Sequence, residues 1–269
     1  MAKLSNTEIR KLDDAARAGW LYYVAGKTQD EIAKKLNTSR QSAQRMVALS
    51  VSQGLIKVRL DHPIAKCMDL AEQIKTRFGL LSCDVVPSDP SEPSSTLGLA
   101  QAGAAEIERH LKSPQPKVIA NAKYYPMPLP VLPRTIEEKL QLHSQQNVAS
   151  NLKLATNADV TFVGVGNLGL NSPLHKDGFV SLDELQELQQ QGAVGEMISW
   201  VFDKNGKLLD CNVNQRVAST PLKVNSDKQI FAIAAGEEKV LAILGALRSK
   251  MISGLITNEY TAERLLSIE

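Results

Sequence analysis

The chain has 269 residues, 31 of them basic and 29 acidic, for a formal net charge of +2. With 43% hydrophobic and 22% charged residues it has enough apolar content for a packed core, which excludes wholesale disorder. No apolar run approaches the ~18 residues a membrane span needs, and the charged start lacks the apolar stretch of a signal peptide.

Three cysteines, Cys67, Cys83 and Cys211, are odd in number and far apart. They offer neither metal-ligand spacing nor a disulfide framework. A cytoplasmic protein with no metal and no cofactor is expected. The charge is uneven. Residues 1–62 hold 11 basic and 6 acidic side chains, a net of +5, and the other 207 hold 20 and 23, a net of −3. A small basic head on a mildly acidic body is the pattern of a nucleic-acid module joined to something else. The expected domains are 1–62 and 63–269.

In the head, Leu12–Val24 has helical spacing, with Trp20, Tyr22 and Tyr23 expected as core aromatics. Ala25-Gly26-Lys27 stops this helix. Thr28 with Glu31 three residues on is a capping box, and it opens a helix to about Leu36 that buries Ile32, Ala33 and Leu36. After a turn at Asn37-Thr38, Ser39 caps a third helix with Ala43, Met46, Val47 and Ser50 inward. Gly54 breaks it, and Leu55–Leu60 alternates as a strand does.

The run from Thr28 to Arg45 reads as helix–turn–helix, with Ala33 as the small residue where the helices touch. The exposed start of the second helix offers Ser39, Arg40, Gln41, Gln44 and Arg45. Arginine suits guanine and glutamine suits adenine, while Ser39 with the helix N-terminus suits a phosphate. Thr28 and Gln29, with Lys57 on a wing strand beside Arg59, complete the expected DNA-facing set.

In the body, Pro63 and a helix over Ile64–Phe78 form the joint. Val85-Val86 is a short strand, Ser88–Ser95 a Pro/Ser-rich loop and Leu97–Leu111 a helix. Apolar strands and helical stretches then alternate: Lys117–Ala120, Glu137–Ala155, Val160–Val165, Leu182–Gln191, Val194–Phe202, Ile230–Ala234, Val240–Arg248, Gly254–Thr257 and Ala262–Ser267. Such alternation predicts an α/β fold with a parallel sheet.

Val160–Gly169 is a strand running into G-x-G-x-x-G. A dinucleotide site needs a helix directly after it and an acidic residue about 20 positions on. Here an irregular loop follows, and Asp183 lies in a helical stretch. Gly164 and Gly166 instead mark a loop that approaches something closely. A second strand ends at Gly236, with Lys239 in the first turn of the next helix. The macrodipole disfavours a cation there unless an anion is present. Lys239 is therefore either an anion ligand or a surface lysine offset by Glu237 and Glu238. Glu196 is either an acceptor for sugar hydroxyls or a helix N-terminal charge. Asn212, Asn214 and Arg216 form a polar cluster of equally open meaning. His62, His110, His143 and His175 are scattered with no acid or nucleophile at motif spacing, so no catalytic set is visible.

The head TQDEIAKKLNTSRQSAQRMVALSVSQGLIKVRLDHP resembles the DNA-binding domain of SorC-family bacterial transcriptional regulators. YYPMPLP, ADVTFVGVGNLG, GFVS, GAVGEMISWVFD, NQRVAS, AAGEEK and GLITNEYTAERLL resemble that family's effector domain in order, over nearly the whole chain. The start is similar to the branch that controls polyol operons. The resemblance implies an N-terminal winged helix–turn–helix and an α/β effector domain with a mostly parallel sheet, like sugar-phosphate isomerases without their chemistry. It implies a repressor or activator, not an enzyme, that forms a homo-tetramer or dimer and has no membrane partner. The implied partners are a double-stranded DNA operator and a sugar, polyol or sugar-phosphate effector. By motif, Glu196 matches the family acid at the ligand hydroxyls and Lys239 the lysine at its anionic group. Gly164, Gly166 and Gly236 fall in the matching loops, and Ala235 stands where many members have glycine.

The family also carries a loop resembling G-x-G-R-T, then further strands and helices, after a strand like Lys117–Ala120. Here Ala120 runs straight into Asn121-Ala122-Lys123-Tyr124-Tyr125, which matches a later strand. Some tens of residues are thus expected to be absent between Ala120 and Asn121. The rival readings are a sugar-phosphate isomerase-like or nucleotide-dependent enzyme with an accessory head, and an oligomerisation scaffold.

Overall fold

The computed structural model describes residues 6–56, 64–89, 91–92, 95–111, 125–221 and 228–269. The chain divides into Met1–Asp61 and His62–Glu269. Three helices build the first unit: α1 (Asn6–Tyr23), α2 (Gln29–Lys35) and α3 (Arg40–Ser52). Local chemistry sets their ends. The Glu31 N–H donates to Thr28 Oγ1 at 3.3 Å, and the Thr28 N–H donates to Glu31 Oε2 at 2.8 Å. At the other end of α2, Asn37 takes a left-handed φ of 49°. The Asn37 and Thr38 N–H groups then return to Lys34 O (3.3 Å) and Ala33 O (2.9 Å), which closes a Schellman motif. Ser39 caps α3 by accepting from the Ser42 N–H at 3.1 Å.

Ala18, Leu21, Ile32, Ala33, Ala43 and Val47 form this unit's core. Gly19 brings α1 against α3 so closely that a Cβ there would overlap Ser50 and Ile56. This packing overturns one expectation. Trp20, Tyr22 and Tyr23 are not core; they are 54%, 39% and 42% exposed. The seam between α1 and α3 accepts alanine and glycine but no large ring, so the aromatics are turned out. The first helix also begins at Asn6 rather than Leu12. Leu55 and Ile56 continue from α3 with both N–H groups on Ser50 O. Lys57, Arg59 and the rest of the expected wing strand lie outside the described residues.

The second unit runs α4 (Ile64–Phe78), β1 (Ser82–Val86), α5 (Leu99–Leu111), α6 (Ile136–Ser144), α7 (Gln146–Thr156), β2 (Val160–Val163), β3 (Gly166–Asn167), α8 (Pro173–Lys176) and α9 (Leu182–Gln190). It continues with β4 (Ala193–Met197), β5 (Trp200–Asp203), α10 (Asn212–Arg216), β6 (Gln229–Ile233), a 3-10 turn (Glu237–Lys239), α11 (Val240–Arg248), β7 (Gly254–Asn258) and α12 (Glu259–Ser267). The single helix expected over 137–155 is two, because Gln145 is extended at φ −70° and ψ 131°. The strand expected at 117–120 and the Ala120–Asn121 junction lie outside the described residues.

Two sheets result. One is fully parallel, in the order β1-β7-β6-β2, which meets the α/β expectation. The other is a small antiparallel sheet, β3-β4-β5. The two central strands, β6 and β7, are mostly apolar and mostly buried, as strands covered on both faces are, whereas the outer strands β1 and β2 are half-buried. Leu255, Ala232, Ile243, Leu244, Leu247 and Ile74 lie in one continuous core between strands and helices. A second core, around Leu185, Val201 and Val217, sits under α9 and β5.

Candidate ligand cavity and exposed helix face

Strands β2 and β6 are parallel neighbours, with Val163 opposite Ala232. Their carboxyl ends therefore deliver the Gly164–Gly166 and Gly236–Lys239 loops to one edge of the sheet, the place where open α/β sheets hold ligands. The antiparallel sheet adds a third component, since Gly166 on β3 is paired with Glu196 on β4. Together they enclose a cavity of about 370 Å³ lined by Gly164, Gly166, Asp177, Glu196, Ser199 and Lys239, among others.

Glu196 is in a strand, which disposes of the helix N-terminal alternative. Its Oε2 accepts from the Ser199 N–H at 2.7 Å. Burial pushes its carboxyl above the usual range, against the smaller opposing pull of that N–H and of the Lys239 charge. Ser199 and Ile198 form the β4–β5 turn with positive φ at both positions, 73° and 44°. A β-branched residue at positive φ is strained, and strain of this kind collects at binding sites. Both residues line the cavity.

The alternative reading of Lys239 does not match the geometry. Tyr260 Oη and an Arg264 guanidinium N–H of α12 donate to Glu237. Glu238 accepts from Asn167 Nδ2 at 3.2 Å. Neither glutamate meets Lys239, which has no ion pair among the described residues and faces the cavity. Gly236 is close by but outside the lining, and its N–H is taken by Thr261 Oγ1 at 2.9 Å. Asp177, Ile198 and Ser199 were not legible as site residues. Their place depends on a hairpin turn and on a short helix, α8, that carry no motif.

Two members of the polar cluster, Asn214 and Arg216, are structural, and Asn212 is exposed. The Val201 N–H donates to Asn214 Oδ1, and Asn214 Nδ2 donates to Val201 O and Leu209 O, at 2.7–2.8 Å. Buried Arg216 donates to Pro133 O and Arg134 O and pairs with Glu184. The histidines are occupied elsewhere. His110 is bonded to Glu106, His143 to Ala218 O and His175 to Val180 O. His62 lies outside the described residues. A second cavity, of about 350 Å³ beside β2, is lined by Val160, Phe162, Pro221 and Ile230 and brings no set of charged groups together.

In the first unit, Ser39, Arg40, Gln41, Gln44 and Arg45 are exposed along the first turns of α3 or at its cap. Thr28 is exposed and Gln29 half-buried. Arg40 Nε stands 3.6 Å from Asp30 Oδ1 of α2, a solvent-exposed pair that screening keeps weak. The face thus keeps its donors available.

The second unit is thus an open α/β fold with a cavity that holds Glu196 and Lys239 at its carboxyl edge, and a basic helical unit precedes it in the chain. The chain belongs to the family described as "Putative sugar-binding domain", whose model matches residues 117–267, and it has the SorC-type character that its motif order implies. It is 28% identical to the erythritol catabolism regulatory protein EryD of Brucella abortus, over 94% of this chain and 96% of that protein. It is 25% identical to the sorbitol operon regulator of Klebsiella pneumoniae, over 91% and 95%. The crystal structure of the full-length sorbitol operon regulator SorC from K. pneumoniae has the same fold, at a TM-score of 0.64 and 22% identity, covering 96% of this chain and all of that one. A DeoR family transcriptional regulator from Listeria monocytogenes matches 74% of this chain at a TM-score of 0.65 and 18% identity. These relatives are named as transcriptional regulators, not as enzymes, and effector-controlled transcription regulation is the function class of this chain.

Proposed function

We propose that this protein binds an operator through α3 and releases or reshapes that binding when a sugar, polyol or sugar phosphate fills the cavity at Glu196 and Lys239. The observation that carries the reading is the presence, on one chain, of a donor-rich exposed helix face and of a cavity that presents a shielded carboxylate and an ammonium with no ion pair among the described residues. The carboxylate suits sugar hydroxyls, and the ammonium suits an anionic or electron-rich group. The helix–turn–helix comprises α2, its Schellman turn and α3. Ser39, Arg40, Gln41, Gln44 and Arg45 meet the DNA, flanked by Thr28 and Gln29, and Lys57, which lies outside the described residues, is a further DNA contact. The domains divide near residue 62, the site of action is the cytoplasm, and the working form is a dimer or tetramer. Among the described residues no helix is long and apolar enough to cross a membrane.

The reading of a lost internal segment has support from length. The alignment with EryD runs over 302 positions, whereas 94% of this chain is about 253 residues, so about 49 positions of the alignment lack a residue here. On this reading the effector is held by the β2, β4 and β6 loops without the family's loop resembling G-x-G-R-T.

A thermal-shift screen over polyols, sugars and their phosphates tests the effector arm. A true effector at ~100 times its dissociation constant adds about 2.7 kcal/mol and raises the midpoint. The same compound must change the affinity for a DNA site selected from random duplexes. A screen in which no such compound stabilises the protein, or in which the stabilising compound leaves DNA binding unchanged, refutes effector control.

A further inference from the structure

The cavity at the carboxyl edge of the parallel sheet is lined by two carboxylates and one ammonium, those of Asp177, Glu196 and Lys239. Glu196 comes from β4, Asp177 is the exposed C-cap of α8, and Lys239 ends the 3-10 turn ahead of α11. Among the described residues no arginine and no second lysine lines the space. Val131, Phe179 and Ile198 add apolar walls. A ligand there meets more acid than base.

A helix start is a common seat for a phosphate, but here the protein's own acids occupy it. Glu237 and Glu238 stand in the turn that leads into α11. The Gly236 N–H ahead of them donates to Thr261 Oγ1 at 2.9 Å. Lys239 already has an anion within its field, because its charge acts on the Glu196 carboxylate. A phosphate ester carries about −1.5 to −2 at neutral pH. It would set like charge against Asp177 and Glu196, and it would give up hydration to apolar walls. A run of hydroxyls meets neither obstacle. Each hydroxyl can donate to a carboxylate oxygen and accept from the ammonium, so one set of oxygens satisfies acid and base together.

We infer, on the effector role proposed above for this cavity, that the effector is an uncharged polyhydroxy compound, a polyol or free sugar, and that its phosphate ester is rejected by charge. Asp177 and Glu196 then set specificity in two ways at once. They accept the hydroxyl hydrogens of the neutral compound, and they repel the ester. Lys239 donates to a hydroxyl or ring oxygen. The protein therefore responds to the compound before phosphoryl transfer to it, not after.

The test is calorimetric titration of the full chain with tetritols, pentitols, hexitols and the sugars of the same lengths. Each is compared with its own terminal phosphate monoester, and with its terminal O-acetyl ester as a neutral control for added bulk. The phosphate ester is expected to bind at least about tenfold more weakly than its parent compound, with the acetyl ester closer to the parent. Asp177→Asn and Glu196→Gln should each narrow the gap between parent and phosphate by about threefold, because each removes one like charge, and should leave the gap between parent and acetyl ester unchanged. The affinity of the parent compound should vary less than about twofold between low and high salt, since no net charge enters the site. A phosphate ester that binds as tightly as its parent, or more tightly, overturns the inference and leaves the effector role standing. A gap that neither substitution narrows overturns it too, because bulk rather than charge then excludes the ester. If no compound binds, parent or ester, the effector role falls and the inference falls with it.

Discussion

The carboxylate of Glu196 occupies the space that a side chain on Gly166 would fill. The two residues are partners across the β3–β4 ladder. The absence of a side chain on one strand is thus what allows a shielded acid on the next. Gly166→Ala must displace the Glu196 carboxylate, whose Oε1 would otherwise overlap the new Cβ. Overpacking of this kind costs about 1–3 kcal/mol. Thermal denaturation should show that modest loss, and the further rise in midpoint given by an effector should largely disappear. An undiminished effector shift would mean that Glu196 takes no part in binding.

Glu196 also makes stability depend on pH. Burial raises its carboxyl above the ordinary value of 4.5, so the folded protein holds this proton more tightly than the unfolded chain. Its contribution is present in full below the unfolded value and is lost as pH rises through the raised folded value. Glu196→Gln removes this slope. The midpoint of the parent chain relative to the variant should therefore fall as pH rises from about 4 toward neutrality. Parallel curves across that range would show that the folded site does not perturb the group.

Lys239 faces the cavity with no ion pair among the described residues, although its charge is felt by the Glu196 carboxylate. Lys239→Ala is expected to leave DNA affinity within a factor of about two, because the substitution is remote from α3 in sequence and local in effect. The effector dose curve should shift to at least about tenfold higher concentration, the loss of one charge-assisted contact. An unchanged dose curve would remove Lys239 from the site.

Arg40 and Gln44 stand one turn apart on the exposed face of α3. Arg40→Ala or Gln44→Ala should each weaken binding to a selected DNA site by about 1–3 kcal/mol and relax base preference at one position. The exposed Asp30 partner of Arg40 gives up a weak pair only. If a mobility-shift titration finds both variants at parental affinity, α3 is not the reading helix.

Local signals in the chain specify much of this protein. Thr28 with Glu31, and Ser39 ahead of α3, place two helix starts because a cap is a bond between residues three apart. The alternation of apolar strands and helices gives the parallel sheet, since only a two-sided cover permits such runs. Glu196 and Lys239 were legible by motif, although their meaning stayed open at that level. Tertiary structure decided the rest, because it depends on distances between segments far apart in the chain. Asn214 and Arg216 look like a polar site, yet Asn214 Nδ2 bonds to Val201 O and Leu209 O, and Arg216 bonds to Pro133 O, Arg134 O and Glu184. Lys239 has Glu237 and Glu238 beside it in sequence, yet the fold turns those acids toward Tyr260, Arg264 and Asn167. Trp20 and Tyr23 have the composition of a core, yet the close approach of α1 and α3 at Gly19 leaves them no room inside. Periodicity identifies an apolar face but not which of two faces is covered; the volume available between packed helices makes that choice.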